Sequence, residues 1–81
     1  MEILPSAYRH NVEEGDINHA YDNCLAWLRI DDDPSRFMLV GPDLSGNLLE
    51  LIELVTEDLE RVYHAMPLRR STEELFGGLG I

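Results

Sequence analysis

Arg61, Tyr63, His64, Arg69 and Arg70 fall within ten consecutive residues of the stretch RVYHAMPLRRSTEELF, residues 61–76. The other three arginines, Arg9, Arg29 and Arg36, are scattered, and the chain has no lysine. A guanidinium is a planar fork that grips phosphate or carboxylate through two parallel hydrogen bonds. Half the positive charge gathered in one place therefore has three readings: a phosphate site, a contact for an acidic partner, or helix-end electrostatics. If residues 60–66 form a strand, side chains alternate between its faces. Val62, His64 and Met66 then share one face, and Arg61, Tyr63 and Ala65 the other. Arg61 and Tyr63 would line an open groove with Arg69 and Arg70 at its rim. Arg61 and His64 could meet in one pocket only through a bulge or a strong twist. The plainer alternative makes Val62 and Met66 core, His64 a partly buried neighbour, and Arg61 a surface partner of Glu60 or Glu57.

The remaining constellations read as structural. Asp31-Asp32-Asp33 offers hard oxygen ligands, but it lacks the spacing of a calcium loop and precedes Pro34, which fits a solvated turn. GPDLSG (41–46) lacks the lysine and glycine spacing of a phosphate loop and fits a hairpin connection. Cys24 falls on the apolar face of an expected helix, where a small buried thiol is common. His10, His19 and His64 have no metal-ligand spacing, so neither a metal nor another cofactor is expected.

These residues need elements to position them. Pro5 is at home in the first turn of a helix, so a short helix is expected near 5–10, ended by Asn11 in a left-handed cap. Glu13, Glu14 and Asp16 favour a second helix start through the macrodipole, and Val12, Ile17, Ala20 or Tyr21, and Cys24 share one face. That helix is expected over about 13–24, weakened by Gly15. LAWLRI, DDDPS, RFMLVG and PDLSG alternate short apolar runs with turn formers. This suggests meander strands around Leu25–Trp27 and Phe37–Leu39. The stretch NLLELIELVTEDLERVYHAM is ambiguous. Leu48, Ile52, Val55, Leu59 and Val62 repeat at helical spacing, which predicts one helix of about 18 residues. The rival is two strands, 47–55 and 60–66, joined by a turn at Thr56-Glu57-Asp58. Ser71-Thr72-Glu73-Glu74 reads as a cap followed by acids, opening a last helix through Phe76.

The chain has 81 residues and 16 acids against six arginines, for a formal net charge of −10. The length sets one domain, read as residues 1–76, with 77–81 a flexible tail. No apolar run approaches the ~18–20 residues of a membrane span, and no signal peptide is evident. One cysteine cannot close an internal disulfide, which suits the cytoplasm. The negative field repels nucleic acid in general, although a basic pocket smaller than a Debye length, ~8–10 Å, escapes that repulsion. An acidic surface also suits a basic protein partner.

The order of segments resembles BrnT-like toxins of bacterial type II toxin–antitoxin modules, of the actinobacterial type, within the RelE/ParE-like superfamily. The resemblance is carried by RHNVEEGDINHAYDN, RFMLVGPDLSGNLLELIELV and RVYHAMPLRRSTEELF, and spans about residues 3–76. It implies an α+β fold: two N-terminal helices, an antiparallel β-meander of three to four strands and a short C-terminal helix. On that ground residues 47–66 are taken as strands, against their helical stripe. It further implies a metal-independent endoribonuclease in which the RNA 2′-hydroxyl attacks the neighbouring phosphate. Arg36, Arg61 and Arg69 would stabilise charge on phosphorus, and His64, His10 or Tyr63 would move protons. The implied partners are a cognate antitoxin and RNA, free or presented by the ribosome. An unpaired sheet edge would also allow a homodimer. The alternatives to a toxin are a non-catalytic acidic interaction module and an inactive toxin remnant.

Overall fold

The structure, a computed structural model, describes residues 1–79. The last two residues of the expected tail, 80–81, lie outside the described residues. Among the described residues the chain forms β1 (Glu2–Ile3), a 3-10 turn (Pro5–Tyr8), α1 (Glu14–Asp22), β2 (Ala26–Asp32), β3 (Ser35–Pro42), β4 (Leu48–Thr56), β5 (Leu59–Pro67) and α2 (Arg70–Leu75). Strands β2 to β5 form an antiparallel meander, and β1 joins β5 in parallel. The result is a mixed five-stranded sheet of order β1-β5-β4-β3-β2. No helix among the described residues is long and apolar enough to cross a membrane.

The expected pair of N-terminal helices is replaced by a single one. Pro5 does open a turn, but it is one 3-10 turn with Ala7 as its only buried residue. With so little apolar surface to bury, nothing extends the turn into an α-helix. The chain ahead of it is held by the sheet: the Leu4 amide donates to the Val62 carbonyl at 2.8 Å. Asn11 closes the segment in the left-handed conformation, φ 63°. The second expected helix forms as α1, with Glu14 and Asp16 in its first turn and Ile17 and Ala20 buried. Between α1 and β2, Cys24 packs half-buried against the core.

Residues 47–66 are two strands, β4 and β5, joined by Glu57 and Asp58, both at positive φ (47° and 67°). The helical stripe there is cut by that turn. Leu49, Leu51, Val62 and Ala65 enter the main core with Leu39, Ala7, Val12, Ile17 and Ala20. Helix α1 crosses β3 and β4 on this face. It lies so close that a Cβ on Gly41 would stand 2.1 Å from the Ala20 carbonyl oxygen, so only glycine fits there. On the alternating face, Met38, Val40 and Glu50 are buried, and α2 reaches this side through Thr72. GPDLSG forms the hairpin connection from β3 to β4. In it the Asp43 carboxylate accepts from the Ser45 and Asn47 amides at 2.9 and 2.8 Å, and Gly46 takes φ 86°.

Candidate functional site

The register of β4 against β5 slips by one residue. Ile52 opposes His64 and Glu53 opposes Val62, so Tyr63 has no partner and forms a β-bulge. Bulges re-aim the side chains on either side of the extra residue. Val62 and Ala65, three apart, therefore both face the main core, and Tyr63 and His64 open together on a shared pocket. The strict alternation that would put Tyr63 and Ala65 on one face and Val62 and His64 on the other does not hold.

That pocket has a volume of about 170 Å³ and is lined by Ser6, Arg9, His10, Tyr63 and His64. The 3-10 turn forms its second wall, pinned where the Ser6 hydroxyl donates to the Tyr63 carbonyl at 2.7 Å. The His10 and His64 rings meet edge to face with centroids 5.6 Å apart. From β3, the Arg36 guanidinium stands over the Tyr63 ring, 5.9 Å from its centroid. Among the described residues neither Arg9 nor Arg36 makes an ion pair.

Behind the pocket lies a fully buried carboxylate, Glu50. It accepts from the Arg69 amide at 3.0 Å, from Arg69 Nε at 3.1 Å and Nη2 at 2.8 Å, from Thr72 Oγ1 at 2.6 Å and from His64 Nε2 at 3.0 Å. Burial works to raise the Glu50 pKa. The hydrogen bonds from Arg69, Thr72 and His64 outweigh it and hold the group at about 2, against 4.5 for a free side chain. Glu50 in turn raises the Arg69 pKa, by hydrogen bonding and by charge. The ionised carboxylate orients His64. With Nε2 bonded to Glu50, Nδ1 is the other ring nitrogen of His64.

Of the residues singled out in the sequence, His10, Tyr63 and His64 come together in the pocket, and Arg36 joins them across the Tyr63 ring. Arg61 lies towards the far end of β5, where its Nη2 donates to Thr56 Oγ1 at 3.4 Å and its Nε stands 3.9 Å from Glu2. Arg69 is clamped on Glu50 and reaches the pocket only through the carboxylate it shares with His64. Arg70 is exposed and faces Glu74. Ser6, Arg9, Glu50 and Thr72 are not among the candidate site residues that the sequence suggests. For Glu50 a signal existed: an acid set between Leu49 and Leu51 in an apolar run.

No family model, curated protein or solved structure matches the chain, so the geometry carries the functional argument.

Proposed function

We propose that the chain is a BrnT-like toxin of the RelE-like superfamily: a small cytoplasmic endoribonuclease, independent of metal, held in check by a cognate antitoxin. The observation that carries the reading is the bulge at Tyr63, which gathers Tyr63 and His64 with His10 in one pocket. Arg9 lines that pocket and Arg36 stands over its Tyr63 ring, both guanidinium groups without carboxylate partners, and a phosphate would supply the missing charge. The segment order that resembles BrnT-like toxins supports it further.

The chemistry this allows is an in-line transesterification. The RNA 2′-oxygen forms a bond to phosphorus and the bond from phosphorus to the 5′-oxygen breaks, leaving a 2′,3′-cyclic phosphate. One of His10 and His64 takes the 2′-hydroxyl proton, and the other gives a proton to the departing 5′-oxygen. Arg9 and Arg36 offset the charge that builds on the phosphoryl oxygens. Glu50 is a positioning residue that fixes the His64 ring.

The test is cleavage of defined RNA, free and on ribosomes, followed by detection of the cyclic phosphate end. His64→Ala and His10→Ala should each slow cleavage by about 10²–10⁴-fold, the range for losing a general acid or base. RNA left intact by the unaltered protein, with and without ribosomes, refutes the proposal.

A second reading, a non-catalytic acidic binding module, is favoured by one observation: Arg69, part of the conspicuous arginine cluster, holds α2 onto Glu50.

A further inference from the structure

Strand β2 is an open edge of the sheet, paired with β3 alone. An edge strand presents a row of unpaired N–H and C=O groups that another chain can use. Proteins guard such edges with bulges and charge, and β2 does so at one end. Its register slips between Arg29 and Asp31, and Asp31 and Asp32 follow. The other end is unguarded and apolar: Leu25 is 58% exposed, Trp27 66% and Leu28 37%.

Beside this free end lies an open pocket of about 370 Å³, lined by Tyr21, Cys24, Trp27, Phe37, Leu39 and Glu53. Trp27 and Phe37 meet edge to face with centroids 5.8 Å apart. The Phe37 ring already takes one guanidinium, that of Arg29, 5.5 Å from its centroid. At the acidic wall, the Tyr21 hydroxyl contacts both the Glu53 carboxylate, at 2.5 Å, and the Glu60 carboxylate. A hydroxyl carries one hydrogen, so it can donate to only one of the two at a time. Among the described residues neither Glu53 nor Glu60 has an ion-pair partner.

We propose that this pocket receives an arginine side chain from an extended segment of a partner protein, which adds to β2 as a sixth strand. A residue opposite Trp27 on an added strand points to the same face as Trp27, the face on which the pocket opens. The aromatic walls suit a guanidinium stem and plane, and the fork supplies the further donor that Glu53 and its neighbour Glu60, sharing one Tyr21 hydroxyl hydrogen, are short of. Charge decides between the candidate occupants. A second copy would bring another formal −10 to an edge that carries its own acids, whereas a basic segment is drawn to it. The site is independent of the nuclease reading, since no residue of the His10–His64 pocket takes part.

The chain has one tryptophan, so tryptophan emission, excited at the red edge where tyrosine does not absorb, reports on this site alone. The probes are eight-residue peptides alternating valine and threonine around a central arginine, and the same peptides with citrulline or glutamate at the centre. The arginine peptide should shift the Trp27 emission and bind at least tenfold tighter than the citrulline peptide. It should also slow amide exchange across residues 25–29. Trp27→Ala, at an exposed position, should abolish that protection while leaving the circular dichroism unchanged. Glu53→Gln should narrow the preference for arginine over citrulline. Equal affinity for all three peptides, absence of binding, or protection of β2 that appears instead through self-association in sedimentation would each overturn the proposal. None of these outcomes bears on RNA cleavage, so the two readings fail separately.

Discussion

Glu50 shows how one residue can join the fold to the site. Its carboxylate is out of water, yet it accepts from Arg69, Thr72 and His64. A buried charge is tolerable only when paired and hydrogen-bonded. Glu50→Gln replaces an acceptor oxygen with an amide that must face donors. It should lower stability by on the order of 2–4 kcal/mol, a figure kept below the range for fully buried pairs because Arg69 is half exposed. The folded Glu50 pKa, about 2, lies below its free value of 4.5. The stabilisation is therefore complete above about pH 4.5 and is lost as the pH falls towards 2, by on the order of 2–3 kcal/mol. Chemical denaturation from pH 7 to pH 2.5 should show this acid-side loss in the native chain and a markedly smaller one in Glu50→Gln. Parallel curves would mean that Glu50 is not the ionised hub. In the sequence Glu50 and Glu53 both break the apolar run LLELIELV, so an acid set among leucines flags the pair without saying which one is the hub. What singles it out is contact with Arg69 and Thr72, about twenty residues on, and local patterning carries no record of that contact.

Among the elements, the β4–β5 hairpin combines a weak turn with the bulge at Tyr63 that shapes the proposed site. Glu57 and Asp58 both sit at positive φ, the pattern of a two-residue type I′ turn, which favours Asn-Gly. A glutamate there is strained. Replacing both, Glu57→Asn with Asp58→Gly, should raise stability by about 1 kcal/mol without touching the site. A higher denaturant midpoint with an unchanged slope would establish this, and a lower one would contradict the turn geometry. This hairpin also marks where the sequence becomes hard to read. Leu48, Ile52, Val55, Leu59 and Val62 mimic a helical stripe. Strands covered on both faces carry apolar residues on both, so the period of two is blurred. The bulge at Tyr63 blurs it further by shifting Ala65 onto the core face. Helix α1 and the meander turns were legible because their signals are local: acids in a first turn, and Asp, Gly and Pro between apolar runs. Strand β1 was not, because two residues paired with Arg61 and Val62 leave no periodic trace. The pocket was legible as residue types but not as geometry, which the bulge decides.

Across the whole molecule, local chemistry and global field oppose each other. The body measures 33 × 27 × 20 Å, a few Debye lengths at ~0.1 M salt, where that length is ~10 Å. On the proposed reading, a phosphate inside the pocket would meet Arg9, His10 and His64, with Arg36 over the Tyr63 ring, whereas nucleotides beyond it would pass over a surface that makes the net charge −10. Each added phosphate outside the pocket therefore gains nothing from the protein and meets repulsion. For a basic nucleic-acid binder the opposite holds, since affinity grows with the number of phosphates neutralised and falls steeply with salt. A trinucleotide should bind this protein as tightly as a strand of about twenty nucleotides, with log K falling against log salt at a slope of about −1, as for one or two neutralised phosphates. Titration of both oligonucleotides between about 0.05 and 0.3 M salt, a range over which the Debye length falls roughly twofold, measures this directly. A long strand bound more than tenfold tighter, with a slope steeper than about −3, would require a basic track that the six arginines do not form. Under the proposed nuclease reading, a flat response would mean that a long RNA needs something else to hold it at the pocket, because a surface of net charge −10 lacks the electrostatic capture that concentrates RNA on a basic enzyme.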